Sequence, residues 1–209
     1  MTTEYEEIVT HYEECFLKHG DNHKGVDWPN QADLDKRFSV AYELTQKNGF
    51  KPLSLLDFGC GNGLFIDYLT QHQLLDQVTY TGLDLSPLFI SCCQQKHPNL
   101  SFICADILQS PDSIGTYDYI ILNGVLTEKC SLDFTVMWDY AKLLLSTLFK
   151  HCNIGIAFNM MSDHVDWERD DLFHMPFDML ATFLGNNLSR NYQFRNDYGL
   201  YEFTTYVYR

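Results

Sequence analysis

Residues 55 to 63 read Leu55-Leu56-Asp57-Phe58-Gly59-Cys60-Gly61-Asn62-Gly63, an apolar run that passes directly into alternating glycines. Glycines at a strand-to-helix turn remove Cβ obstruction and permit positive φ, and the helix that follows offers unpaired N–H groups to a negative group. That chemistry suits a nucleotide or an amino-acid carboxylate. A second acid, Asp84 in Tyr80-Thr81-Gly82-Leu83-Asp84-Leu85-Ser86, follows the last glycine by about 20 residues, the distance at which a carboxylate accepts from ribose hydroxyls. Further on, Asp106 in Ala105-Asp106-Ile107 can accept from an adenine amine while Leu85 and Ile107 sandwich the ring, although an ordinary loop aspartate reads the same way. Asn123 and Gly124, after Tyr117-Asp118-Tyr119-Ile120-Ile121-Leu122, can offer backbone groups to the same ligand.

The kind of ligand follows from what the run lacks. A dinucleotide fingerprint G-x-G-x-x-G requires glycine at position 64, where Leu64 stands, and Asp57 sits two residues before the first glycine, close to where a pyrophosphate would lie. S-Adenosylmethionine carries no phosphate, and its ammonium and sulfonium favour nearby carboxylates.

These residues need elements to position them. Apolar runs at Leu53–Phe58, Val78–Asp84, Leu100–Cys104, Tyr117–Asn123 and Asn153–Met160 read as strands. Helical patterns lie between them at Gly63–Gln73, Pro87–Lys96 and Leu132–His151, the middle one capped by Ser86 with Pro87 at its first position. Alternation of this kind signals a parallel sheet with helices on both faces, and it puts all four candidate loops at one sheet edge, outside the carboxyl ends of the strands. Before this region, a helix over Thr2–His19 stops at Gly20, and a second starts after Asn30 and runs to Gly49. After it come an irregular segment to Met175, a helix around Pro176–Asn187, and two β-runs at Asn191–Arg195 and Leu200–Tyr208 that read as an antiparallel ending.

Taken together, Asp57-x-Gly59-x-Gly61-x-Gly63, Asp84 after the second strand, Asp106 after the third and Tyr117-Asp118 opening the fourth resemble the motif series of class I S-adenosylmethionine-dependent methyltransferases, over Lys51 to about Met160. The resemblance implies an α/β, Rossmann-like three-layer sandwich with a seven-stranded, mostly parallel sheet and an antiparallel last strand. It also implies S-adenosyl-L-methionine as cofactor, held by Asp57, Gly59, Gly61, Gly63, Asp84, Leu85, Asp106, Ile107, Asn123 and Gly124. The family's Asn-Pro-Pro-Tyr or Asp-Pro-Pro-Tyr run, used for planar amino groups, is absent after the fourth strand; Asn123-Gly124-Val125-Leu126 looks more like the small-molecule branch. Segments Lys24–Trp28, Arg169–Leu172 and Asp197–Thr204 resemble a small bacterial subgroup without an established acceptor.

Methyl transfer is an in-line displacement that needs chiefly a positioned nucleophile. The acceptor pocket is expected under the N-terminal helices and the segment after the fifth strand, with Tyr12, Trp28, Arg37, Lys129, Arg169 and Tyr198 as lining candidates and His164 or His174 as a general base for a hydroxyl acceptor. Each of these also has an ordinary reading as core or solvated side chain. Two readings from other classes stay open: an NAD(P)-dependent oxidoreductase, since Asp84 serves any ribose, and a cofactor-binding or interaction module without activity.

Composition sets the outer bounds. At 209 residues, without repeats or a Pro/Gly/Ser-rich linker, the chain reads as one domain, residues 1–50 forming a helical cap and 51–209 the core. A net charge of −14 disfavours DNA and RNA as partners. No run reaches membrane-span length and no leader is evident, so a cytoplasmic protein is expected. Seven cysteines without a C-x-x-C spacing read as reduced residues, mostly in apolar runs, and no metal is expected. Oligomeric state stays open.

Overall fold

The computed structural model describes residues 5–48 and 53–209. Helix α1 (Glu6–His19) leads through a 3-10 turn, His23–Val26, to α2 (Gln31–Tyr42), whose Asn30 side chain accepts from the amides of Ala32 and Asp33 as the cap the sequence predicts. Beyond Tyr42 the helix tightens into 3-10 geometry over Glu43–Asn48. The expected start at Thr2 and end at Gly49 lie outside the described residues, as does the boundary at residues 50/51.

The alternating region then runs β1 (Leu53–Phe58), α3 (Leu64–Gln71), β2 (Val78–Asp84), α4 (Pro87–Lys96), β3 (Ser101–Cys104), β4 (Tyr117–Leu122), α5 (Phe134–Lys150) and β5 (Cys152–Ser162). It closes with β6 (His174–Met175), α6 (Phe177–Phe183), a π turn at Leu184–Leu188, β7 (Tyr192–Arg195) and β8 (Glu202–Tyr208). The sheet order is β3-β2-β1-β4-β5-β8-β7. Strands β1 to β5 are parallel, and β8 runs antiparallel to both of its neighbours. The two-residue β6, which the sequence reading did not foresee, pairs with the end of β5.

Period-2 alternation distributes the core over two faces of the sheet. Leu56 and Phe58 of β1 with Ile120 and Leu122 of β4 join Met137, Leu144, Leu145 and Leu148 of α5 in one cluster. Leu55, Tyr119 and Ile121 point the other way and join Leu34 and Phe38 of α2 with Phe65 and Leu69 of α3. Three layers result. Helix α2 packs on the sheet through Leu34 and Phe38, whereas α1, which buries only Ile8, lies apart from that layer.

Candidate active site

Strand order reverses between β1, which continues toward β2, and β4, which continues toward β5, and this switch point is where open α/β sheets leave a crevice beyond the carboxyl ends of their strands. A cavity of about 750 Å³ occupies it. Its floor comes from Phe58, Gly59 and Gly61 after β1, from Leu83, Asp84 and Leu85 at the end of β2, and from Asn123, Gly124 and Val125 after β4. Tyr5, Ile8, Val9 and Tyr12 of the α1 segment form the roof, with Val26, Trp28, Phe89 and Tyr140 at the sides. A smaller cavity of about 340 Å³ shares Val26, Trp28, Gly59, Gly61 and Asn123 and adds Asp57, Cys60 and Asn62.

The local sequence builds the floor directly. Gly59 holds φ +74, a conformation L side chains rarely adopt, and a Cβ there would come within 2.4 Å of Val125 Cγ2. The amides of Gly59 and Cys60 donate to Leu83 O at 2.8 and 3.0 Å, tying the glycine loop to the end of β2. From that strand end the Asp84 carboxylate accepts from Gly61 N and Ser86 N, both at 2.9 Å. A carboxylate offers about four lone-pair sites, so two stay available for a ligand.

Burial dominates the electrostatics. It pushes the Asp84 carboxyl up to about 6, with the backbone N–H groups around it, those of Ser86 and Gly61 foremost, pulling the other way. Asp57 goes up to about 7, again chiefly by burial; the hydroxyl of Tyr80, donating at 2.5 Å, lowers it and the Asp84 charge raises it. Among the described residues lining the larger cavity, Asp84 is the one charged side chain. A cationic ligand with ribose hydroxyls would relieve both acids.

The remaining sequence candidates divide. Tyr12 and Trp28 line the cavity. Asp106 and Ile107 do not: Ile107 is buried in the core, and the Asp106 carboxylate accepts from Tyr5 OH at 2.6 Å, Leu108 N at 2.9 Å and Gln109 Nε2 at 2.8 Å. With Gln109 N donating at 3.3 Å as well, the carboxylate's four acceptor sites are all engaged within the chain, and that acid anchors the roof. Gly63, at the start of α3, borders Cys93 and Ile66 instead of the cavity. Arg37 lies behind the wall, where its Nε donates to Glu202 Oε2 at 2.8 Å and its guanidinium stacks 4.1 Å from the Trp28 ring centre. Tyr198 lies there too, its hydroxyl 3.0 Å from Thr204 Oγ1 and 3.4 Å from Glu202 Oε1. Arg169 pairs with Asp171, and the Lys129 amide donates to Asp171 O, so both belong to a loop-to-loop clasp outside the cavity lining.

Neither histidine lines the cavity. The His164 side chain is 76% exposed beside Asp163. His174 Nδ1 donates to Ser162 O at 2.7 Å and its Nε2 accepts from Arg169 N at 3.3 Å, which leaves no lone pair for a proton. The structure thus gives the expected general base no support.

The N-terminal helical segment does lie over the pocket as expected, and Tyr12 lines it, but Tyr5, Ile8 and Val9 are not among the sequence candidates. The lining residues Ile8 and Val9 of α1 read simply as an apolar helix face, and the segment is stitched to the loops after β2, β3 and β4. Tyr5 reaches Asp106 after β3, Glu13 reaches Ser86 after β2, Tyr12 OH donates to Gly124 O at 3.4 Å, and Glu7 accepts from Ser131 Oγ at 2.7 Å. His11 Nε2 lies 3.0 Å from Asp27 Oδ2 and 3.2 Å from Glu128 Oε2. Burial, then the Asp27 charge, raises the Glu128 carboxyl to about 7. His11, Cys15 and Asp27 also bring their donor atoms within 4.8 Å of one another, the one such group of potential metal ligands among the described residues.

A family model described as a methyltransferase domain matches residues 55–145, the segment that carries β1, β2, β4 and their loops. A Mycobacterium tuberculosis protein, Rv1506c, carried under a provisional methyltransferase name, is 28% identical over 165 residues, covering 77% of this chain and 95% of that protein. A Mycobacterium leprae phthiotriol/phenolphthiotriol dimycocerosates methyltransferase is 35% identical over 97 residues, 46% of this chain; the match spans only 34% of that enzyme's length. Among solved structures, a magnesium protoporphyrin IX methyltransferase from Synechocystis with bound S-adenosylmethionine superposes with a TM-score of 0.69 at 16% identity, over 100% of this chain and 98% of that one. A plantazolicin methyltransferase in complex with S-adenosylhomocysteine gives 0.60 at 15% identity, over 98% and 90%. At such identities the superpositions establish the shared fold.

Proposed function

We infer that this chain, a class I S-adenosylmethionine-dependent methyltransferase, holds its methyl donor across the two joined cavities and passes the methyl group to a small, largely apolar acceptor. The observation that carries the placement is Asp84. Its carboxylate is fixed by two backbone amides at the sheet's switch point and keeps two acceptor sites for ribose hydroxyls, while Gly59 keeps the floor free of side chain. Asp57, in the smaller cavity, suits the donor's ammonium group. Asn123 and Gly124 supply backbone groups to the same ligand, and Leu85 an apolar surface to its ring.

Bound S-adenosylmethionine supplies an electrophilic methyl group on a departing sulfonium. The chain's own part is positioning and exclusion of water, which can account for most of an in-line displacement. Tyr12, Trp28 and Val125 face the acceptor side. The absence of Lys, Arg and His from the described cavity lining favours an uncharged or cationic acceptor over a carboxylate, which would find no counter-charge. The named acceptors of the relatives and fold neighbours, a dimycocerosate, a porphyrin and plantazolicin, also favour a small molecule. The oxidoreductase reading draws no support from these relatives, and Leu64 opposes it.

We also read residues 1–209 as one domain, with α1 covering the larger cavity and Phe38 of α2 lining the smaller one. Among the described residues no helix is long and apolar enough to cross a membrane. The seven free thiols support a reducing compartment such as the cytoplasm. Calorimetric titration with S-adenosylhomocysteine and, separately, with reduced nicotinamide cofactor tests the donor assignment. Micromolar binding of the first is expected, and binding of the second alone would overturn it.

A further inference from the structure

Glu202 is 1% exposed at the start of β8, a strand buried along its whole length, and belongs to neither cavity's lining. Its two carboxyl oxygens reach in different directions. Oε2 accepts from Arg37 Nε at 2.8 Å, and Oε1 accepts from Asn159 Nδ2 at 3.2 Å. A carboxamide presents donors on one side and an acceptor on the other, so spending Nδ2 on Glu202 turns Asn159 Oδ1 outward. There it accepts from Gly124 N at 2.8 Å. On the other arm the Arg37 guanidinium lies 4.1 Å from the Trp28 ring centre. Trp28 in turn packs on Gly124, where a Cβ would stand 2.8 Å from Trp28 Cζ2. The two arms therefore meet again at the cavity, one holding the Gly124 amide and the other pressing the indole onto the same residue.

We propose that Glu202 is a positioning residue, which sets the Asn123–Gly124 loop and the Trp28 wall together through Asn159 and Arg37. A carboxylate suits this place because both of its faces accept. Glutamine at 202 would present an acceptor to one arm and a donor to the other, so either Arg37 or Asn159 would face a donor. Leaving such a buried group unmatched costs far more than the net value of the bond.

The test uses the full chain labelled with 15N-glycine, with S-adenosylhomocysteine as ligand, which rests on the donor assignment above. Glu202→Gln is expected to shift the Gly124 amide resonance while those of Gly115 and Gly185, which have open space around them, stay in place. It should also weaken the ligand roughly tenfold. Arg37→Met, where the native side chain is 12% exposed, removes one arm only and serves if Glu202→Gln does not fold: it should move the Trp28 emission and weaken the ligand less. Asn159→Leu combined with Glu202→Gln should weaken binding no more than the stronger single change, because both act on one path. An unmoved Gly124 resonance, or ligand affinity unchanged in the folded variants, overturns the proposal. Failure of the unmodified protein to bind the ligand would overturn the donor assignment instead, and the Gly124 resonance would still judge the role of Glu202.

Discussion

Replacing Asp84 by alanine removes an acceptor that serves the Gly61 and Ser86 amides and, under the function proposed above, the hydroxyls of the ligand's ribose. The first two bonds, both 2.9 Å, tie the glycine loop to the cap of α4. A hydrogen bond to a charged group contributes about 1.5–3 kcal/mol, so loss of the ribose contact alone should weaken S-adenosylhomocysteine roughly ten- to hundredfold. The two orphaned amides add a stability cost of about 1–3 kcal/mol each where water cannot reach them. Asp84→Asn separates these effects: its single acceptor oxygen can keep one amide or the ribose, so affinity should fall between wild type and alanine. Acidity supplies an independent check, since the carboxyl sits at about 6 in the free protein. Hydroxyl donors prefer the ionised form, so binding should tighten as pH rises through that value and flatten above it. The asparagine variant should lack this step. The assay is calorimetry across pH 5 to about 8 on variants whose melting confirms folding. An alanine variant that binds within twofold of wild type would refute the reasoning.

Asp57→Asn should raise the melting temperature of the free protein near neutral pH, because a buried acid at about 7 is costly to ionise, while weakening a ligand that carries an ammonium. A fall in both melting temperature and affinity would count against that placement. Gly124→Ala meets both a φ of +88 and Trp28 at 2.8 Å, so a loss of about 1–3 kcal/mol of stability together with weaker ligand binding is expected from denaturant and titration curves. Asp57, Asp84 and Glu128 all sit above their ordinary values, at about 7, 6 and 7. The native state therefore holds their protons more tightly than the unfolded chain. Their contribution is complete below the unfolded carboxyl range and fades as pH climbs toward 7, so free-protein stability should decline from pH 5 to about 7.5. A melting temperature that rises across this window would contradict it.

Much of the frame was legible because local signals agreed with the fold. The apolar run into Gly59 gave β1 its end, and Ser86-Pro87 marked both the end of β2 and the start of α4. Where packing overrides local pattern the reading slipped: α2 stops at Tyr42, and β5 runs on to Ser162 because β6 and β8 pair with its far end. The strand-end acid and glycines of the cavity floor could be found by spacing. The arms behind it could not, since Arg37 and Glu202 lie 165 residues apart and an acid within a strand reads as an outward-facing position. The same blindness put Arg37 and Tyr198 in an acceptor pocket when their partners are Glu202 and Thr204. His174 looked like a base because nothing in sequence announces that its ring is claimed by Ser162 O and the Arg169 amide.

Helix α1 contributes one buried side chain and a handful of scattered polar stitches, yet Ile8, Val9 and Tyr12 on it cover the larger cavity. Such an element detaches more readily than the sheet beneath it. Ligand residence time and the protection of the α1 backbone amides from solvent exchange are therefore expected to change together when those polar stitches are cut.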